Sequence, residues 1–353
     1  MHFEKHKINK ILIIKQGAIG DVLLSTPVIE NLRHNFPDAE INYLTQSYCR
    51  EVLIGNPFLN RVLTYDIGKG DSSYCLIKNI HKQKYDLIID LFGNPRTAII
   101  TFNSDAKYRV GFRFGWRSLA YNIKVKPRGG EVHNVEFNID ALRALGLDII
   151  TNTPKIYLNG VHTEFADDFF KENNLDGKQV IGFNPSGTWP TKVWYPEKWA
   201  ELGKMFSKES RILLFWGYGE EKETAQKIKD QIGENALLIP GVNLKYMAAL
   251  IKRCDLFVTN DTGPMHFSWI TGTNTAAIFG PTNSHLQGPL IENSIVLKNE
   301  TLSCLGCNLT QLSECPHSHQ CMKDLETEFV YSKLMEFMKI YGPIGTKSSS
   351  NSV

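Results

Sequence analysis

The sequence predicts an α/β protein made of two doubly wound domains that face a central cleft. Three observations predict it. Short apolar runs that read as buried strands alternate with segments of helical spacing along most of the chain, which is the pattern of parallel sheets with helices on both faces. That alternation weakens once, over residues 147–176, and then restarts, so the 353 residues divide into two cores. Each half also carries a loop set between an apolar strand and a helix. One is Ile14-Lys15-Gln16-Gly17-Ala18-Ile19-Gly20-Asp21 and the other is Asn260-Asp261-Thr262-Gly263-Pro264-Met265-His266. The halves therefore read as Rossmann-like.

The elements follow in order. Residues 10–15 are a short strand around Ile11-Leu12-Ile13-Ile14, and residues 27–36 carry apolar side chains at helical spacing. Strands follow at 40–44 and 61–65, a helix at 76–83, and a strong buried strand at 85–91, Tyr85-Asp86-Leu87-Ile88-Ile89-Asp90-Leu91. Residues 108–111 are a further strand, and 133–145 are a helix stopped by Gly146. The weak segment holds Pro154 and Gly160, with a helix at 165–173 leading to the crossover. The boundary is placed inside it, giving a first domain over 1–165 and a second over 166–341.

In the second half, strands are expected at 180–184, 211–216, 236–239 and 256–259, with 275–279 ending the sheet. Helices are expected at 196–205, 220–232, 244–252 and 264–271, and a last amphipathic helix at 326–340. The serine-rich tail, 342–353, is expected to be disordered. No short-period repeat is present. The Gly-x-Gly-x-x-Gly fingerprint is also absent, which weighs against an ordinary dinucleotide dehydrogenase.

Composition narrows the class. A hydrophobic fraction of 42% and a charged fraction of 22% are ordinary for a soluble globular protein. A net charge of +2 gives no global argument for nucleic acid, and no nucleic-acid partner is expected. No apolar run reaches the length of a membrane helix, and Ile11–Ile14 is too short for a signal peptide. The expected location is the cytoplasm, with peripheral association at the inner membrane left open. Of 7 cysteines, four cluster as Cys304-x2-Cys307-x7-Cys315-x5-Cys321. The odd total argues against a disulfide framework. The cluster has loose zinc-site character, but its spacing fits no standard finger. A structural zinc, a redox-sensitive pair and reduced thiols all remain open, with the metal-free reading preferred.

Several strand ends carry groups suited to a nucleotide. Pro264 is well placed as a first helical residue after Thr262 and Gly263, and free amides plus the helix dipole make an anion site there. An ordinary capped helix would look the same. Asn184-Pro185-Ser186-Gly187-Thr188 offers hydroxyls and amides at a second strand end, where ligands bind in such folds. Lys192 follows and is able to neutralise phosphate without a metal, although most lysines are solvated surface groups. Glu220 and Glu221, after Trp216-Gly217-Tyr218-Gly219, are placed to hold ribose hydroxyls or simply to start a helix.

In the first half, Gly17 and Gly20 permit a tight turn, and Asp21 stands near a helix start. It is a candidate proton acceptor for an acceptor hydroxyl, or a helix cap; from pattern alone capping holds the larger share. Thr26-Pro27 marks either a helix start or a kink. The stretch 96–128 is basic, with Arg96, Lys107, Arg109, Arg113, Arg117, Lys124, Lys126 and Arg128 against Asp105, and aromatics interleave. It suits a polyanionic acceptor at a membrane surface, or equally a solvated basic face. No RNA-binding module is visible beside it. An Asp-x-Asp metal–nucleotide motif is missing.

Together these residues resemble glycosyltransferase family 9, the bacterial heptosyltransferases of lipopolysaccharide assembly. The resemblance runs over roughly residues 10–330. It is most specific at Gly20-Asp21-Val22-Leu23-Leu24-Ser25-Thr26-Pro27, at Asn260-Asp261-Thr262-Gly263-Pro264-Met265-His266, and at Phe279-Gly280-Pro281-Thr282. It implies a glycosyltransferase-B fold and inverting, metal-independent transfer from ADP-heptose to a 3-deoxy-octulosonic acid or heptose of the inner core, with no cofactor. Asp21 would be the general base and Lys192 would stabilise the leaving diphosphate. Ser186, Thr188, Thr262 and Gly263 would hold phosphate oxygens, with Gly187 and His266 in the same donor set. Asp261 would orient the sugar or the loop, and Glu221, or Glu220 in its place, would hold the ribose. Lys15, Arg96, Arg109, Arg113 and Arg117 would meet the acids of a lipopolysaccharide precursor. Competing expectations are transfer of another nucleotide-linked sugar, a nucleotide-sugar epimerase, and a catalytically silent glycan- or nucleotide-binding protein.

Overall fold

The first apolar run, Lys10–Ile14 (β1), becomes the hub of a six-stranded sheet in the computed structural model, which describes residues 3–66 and 72–342. Around it lie Glu40–Thr45 (β2), Arg61–Thr64 (β3), Leu87–Asp90 (β4), Tyr108–Phe112 (β5) and Ile123–Val125 (β6). Their order across the sheet is β3-β2-β1-β4-β5-β6, and every pair is parallel. Ile11, Leu12, Ile13 and Ile14 are all fully buried, as expected of a parallel strand covered on both faces.

The second unit repeats the plan. Val180–Asn184 (β7), Arg211–Leu214 (β8), Ala236–Leu238 (β9), Leu256–Asn260 (β10), Thr275–Ile278 (β11) and Ser294–Leu297 (β12) form a second parallel sheet in the order β12-β11-β10-β7-β8-β9. Read from β9, this is the strand order of the first sheet. Both sheets therefore reverse direction between their first and fourth strands, at β1/β4 and at β7/β10. In open α/β sheets, ligands bind outside the carboxyl ends of the strands at that switch point. The chain divides into its two units between Tyr157 and Leu158.

Several expected elements differ in extent. The sheet does not end at 275–279, because β12 pairs with β11 from Thr275↔Ser294 to Ile278↔Leu297. β12 and β6 are short, partly exposed edge strands, whose burial is too slight to stamp a strong pattern. The crossover helix is Gly160–Glu172 rather than 165–173; the Asn159 backbone N–H donates to His162 Nδ1 (3.1 Å) at its start. Helix Pro95–Phe102 is absent from the sequence expectation because its apolar residues face outward as well as inward. It starts where Asn94 Oδ1 accepts from Thr97 N–H (2.8 Å). Thr26 does open a helix, Thr26–Asn35, separate from Ile19–Leu23. The Ser25 and Thr26 hydroxyls donate back to Val22 and Leu23 carbonyls at that joint, both at 2.7 Å.

In the second unit, Trp194 and Trp199 are buried against Phe183, and the Trp194 indole N–H donates to the Leu325 carbonyl (3.1 Å). The last helix, Thr327–Tyr341, packs on helix Pro196–Phe206. Gly342 ends it at φ +58, and the remainder of the expected disordered tail, 343–353, lies outside the described residues.

Candidate functional site

At the β1/β4 switch point the loop after β1 is braced by its neighbours. Gln46 Oε1 accepts from Gly17 N–H (3.0 Å), and Tyr48 Oη donates to the Gly17 carbonyl (2.7 Å). Gly17 has φ +116, which L side chains rarely adopt, and a Cβ there would lie 2.7 Å from Asp21 Oδ2. Asp21 is the third residue of helix Ile19–Leu23, and its Oδ2 accepts from Ala18 N–H (3.0 Å). No described group bonds its other oxygen. The two readings of this residue are thus compatible, with one oxygen capping and the other open.

Lys15 is buried beside it and donates to the Leu91 carbonyl (3.3 Å). Burial pushes the Lys15 ammonium pKa down, and the nearby Asp21 and Asp90 carboxylates pull it back up. Asp90 closes β4. It accepts from Phe92 N–H (3.0 Å), Gly93 N–H (2.9 Å) and Tyr121 Oη (2.7 Å), while burial raises its pKa. Tyr121 fits because Gly111 has no side chain: a Cβ there would sit 2.5 Å from its ring. Gly111→Ala is therefore expected to dislodge Tyr121 and destabilise the first unit by about 1–3 kcal/mol. Urea unfolding checks this, and an unchanged midpoint would refute it.

The expected acceptor arginines are placed differently from one another. Arg96 is half-buried in the first turn of helix Pro95–Phe102, and Arg113 is exposed just past β5. Arg109 lies near the start of β5, away from the carboxyl edge, and its guanidinium donates to the Ala106 (2.8 Å) and Ala120 (3.0 Å) carbonyls. Arg117 is likewise spent on carbonyls, those of Phe114 (3.2 Å) and Gly93 (2.8 Å), with its guanidinium over the Phe114 ring.

At the β7/β10 switch point, asparagines end both strands. Asn184 Nδ2 donates to Thr262 Oγ1 (3.0 Å), and Asn260 Nδ2 donates to the Pro185 (2.9 Å) and Ser186 (3.2 Å) carbonyls. These bonds bring the 185–188 loop against the start of helix Gly263–Ile270. Thr262 is the residue before that helix, and its hydroxyl makes no capping bond. Ser186 Oγ is buried without a hydrogen-bond partner. A Cβ on Gly187 would come within 2.9 Å of Val193, so the glycine lets the loop close up. Thr188 is exposed. A buried hydroxyl without a partner beside a helix N-terminus that lacks a side-chain cap has the chemistry to take an anion.

Lys192 reaches the same place. Its ammonium stacks over the Trp189 ring (4.3 Å) and pairs with Asp261 Oδ2 (2.7 Å), with side chains only 13% and 4% exposed. That carboxylate oxygen also accepts from Thr282 Oγ1 (2.6 Å) and Gln287 Nε2 (3.0 Å). His266 is buried, and its Nδ1 accepts from the Trp269 indole (3.3 Å). Glu221 Oε2 accepts from Gly217 N–H (2.9 Å), while Glu220 is exposed. Ser186, Gly187, Trp194, Tyr195, Glu220 and Glu221 line one cavity of about 360 Å³.

The four clustered cysteines carry no disulfide. Burial pushes the Cys321 thiol up to about 11, with Cys304, Cys315 and Cys307 adding to the shift. Among the described residues no group of three or more His, Cys, Asp or Glu is arranged to hold a metal ion.

Sequence reasoning missed Asn184, Asn260, Thr282 and Gln287 as site residues. Asn184 at the end of one expected strand and Asn260 directly after another were a usable signal for the first two. Thr282 stood in a quoted motif without a role, and Gln287 carried no signal.

Known proteins bear on this geometry. The family model described as glycosyltransferase family 9 (heptosyltransferase) matches residues 74–316. A lipooligosaccharide heptosyltransferase 2 of Haemophilus influenzae is 23% identical over 352 residues, covering 93% of this chain and 99% of that protein. A glycosyl transferase family 9 structure from Veillonella parvula aligns with a TM-score of 0.80 at 23% identity, over 97% of this chain and 98% of its own. The ADP-heptose lps heptosyltransferase II structure of E. coli aligns with a TM-score of 0.74 at 20% identity, over 94% and 99%. These two likenesses speak for the fold.

Proposed function

This chain belongs to glycosyltransferase family 9, the heptosyltransferases, and from that premise we propose that it moves heptose from ADP-heptose to an inner-core lipopolysaccharide acceptor, with inversion and without a metal. The observation that carries the reading is the anion receptor at the β7/β10 switch point. A partnerless Ser186 hydroxyl, the uncapped helix Gly263–Ile270 and Lys192 converge there.

In this mechanism the open oxygen of Asp21 takes the proton of an acceptor hydroxyl. The hydroxyl oxygen attacks the anomeric carbon from the face opposite ADP, and the bond from that carbon to the diphosphate oxygen breaks. Negative charge grows on the leaving diphosphate, where Lys192 and the first amides of helix Gly263–Ile270 stabilise it. Ser186, Gly187, Thr188, Thr262 and Gly263 hold phosphate oxygens. Asp261 keeps Lys192 aimed, and Glu221 takes the ribose hydroxyls. His266 belongs to the same donor set, its ring held by the Trp269 indole of its own helix. Lys15, Arg96 and Arg113 face the acceptor's carboxylates and phosphates. The enzyme works at the inner face of the cytoplasmic membrane, where a lipid-anchored acceptor is presented. Among the described residues no helix is long and apolar enough to cross a membrane.

The test is transfer from ADP-heptose to a lipid A bearing 3-deoxy-octulosonic acid, read as a mass gain on the acceptor, with and without EDTA. Loss of transfer in EDTA refutes the metal-free mechanism. Preference for UDP or GDP over ADP in a thermal-shift panel replaces the donor. Glu221→Ala is expected to weaken ADP binding about tenfold, the worth of a charged hydrogen bond. Calorimetric titration checks it, and unaltered affinity removes Glu221 from the ribose.

A further inference from the structure

Helix Pro95–Phe102 and the 3-10 turn Gly115–Ala120 pack against each other on the first unit, burying Ala98, Ala120 and Tyr121 between them. Their outer sides are the reverse of a solvated surface. The helix turns Thr97, Ala98, Ile100 and Thr101 inward and leaves Ile99 and Phe102 48% and 58% exposed. The turn leaves Trp116 and Leu119 64% and 73% exposed. Both pairs are spaced i, i+3, which stacks residues on one side of a 3-10 turn and of an α-helix alike. Four large apolar side chains thus stand out from two touching elements, a kind of patch that marks an interaction site.

The charge around them is of one sign. Arg96 lies on the helix, Arg113 just before the turn, and Lys124 and Lys126 in and after the following edge strand, while Arg117 on the turn is held by the Phe114 and Gly93 carbonyls. The single acid of residues 96–128, Asp105, faces His81 (3.3 Å). Exposed apolar side chains with basic residues on the same and neighbouring elements, and an exposed tryptophan among them, have the chemistry of a bilayer interface. The apolar groups enter the acyl boundary while the basic groups meet phosphates.

We propose that Ile99, Phe102, Trp116 and Leu119 form the face by which this enzyme docks on an anionic phospholipid bilayer. The inference rests on the reading of a lipid-anchored acceptor and names the surface that meets its membrane. The full chain is sedimented with vesicles of phosphatidylcholine, with and without phosphatidylglycerol. Binding to the anionic vesicles is expected, weakened by salt, and lowered roughly tenfold or more in Trp116→Ser/Leu119→Ser and in Ile99→Ser/Phe102→Ser. Acyl-brominated lipids quench a fraction of the tryptophan emission that Trp116→Phe lacks.

The proposal is overturned if wild type ignores anionic vesicles, or if neither pair of substitutions weakens binding. It is also overturned if the same substitutions dissolve a dimer seen by ultracentrifugation in the absence of lipid, which would assign the face to a second copy. Transfer to a delipidated, water-soluble acceptor is expected to be equal in wild type and both variants. A wild type inactive on that acceptor speaks against the heptosyl-transfer reading, while the vesicle result still decides the docking face.

Discussion

Asp21→Asn is expected to lower kcat about 10²–10⁴-fold while leaving ADP affinity and thermal stability close to wild type. The amide oxygen still accepts the Ala18 N–H that Asp21 Oδ2 holds now, so the cap persists and only the proposed proton acceptor would be lost. Asp21→Ala removes both, and should add a stability loss of about 1 kcal/mol, the usual worth of a cap. Steady-state kinetics and thermal melts on the two variants separate the roles. An asparagine variant within twofold of wild-type turnover would leave Asp21 as a cap alone.

Lys192→Ala is expected to be costly in two independent ways. It leaves Asp261, 4% exposed, with Thr282 and Gln287 as its remaining partners, and stranding one member of a buried pair destabilises by about 3–5 kcal/mol. It would also remove the charge proposed to meet the leaving diphosphate, for an expected fall in kcat of about 10²–10³-fold. The double variant Lys192→Ala/Asp261→Asn distinguishes these effects. Asparagine can still accept from Thr282 and Gln287 without carrying a charge, so stability should largely return while turnover stays low. Recovery of both would reduce Lys192 to a counter-ion for Asp261.

Much of the second unit was legible along the chain. β7 and the helices Glu220–Ile232 and Leu244–Lys252 begin and end where the pattern places them. Their periods are strong and their ends are signalled, by Gly219 and Gly233 for one helix and by Asn243 for the other. The losses share a cause. β6 and β12 lie at sheet edges with a single buried residue each, and helix Pro95–Phe102 has no polar side to set a period against. A pattern that depends on contrast between two faces vanishes when both faces are apolar or neither is well buried.

The chemistry divides in the same way. The sequence by itself determined two strand–loop–helix units with glycine where the chain turns past a strand, a proline-started helix beside hydroxyls, and a family resemblance that named Asp21 and Lys192. Those are local properties: φ at Gly17, the missing N–H of Pro264 and the alternation of apolar runs depend on immediate neighbours. Only the tertiary structure decided that β1 lies beside β4 and β7 beside β10. That order sets Lys15 near Asp90, stitches Ser186 to Asn260, and closes Lys192 on Asp261. It also committed Arg109 to carbonyls and turned Phe102 and Trp116 outward. The physical reason is that a long polar side chain takes whichever partner the packing of distant strands presents, and no spacing along the chain encodes that choice.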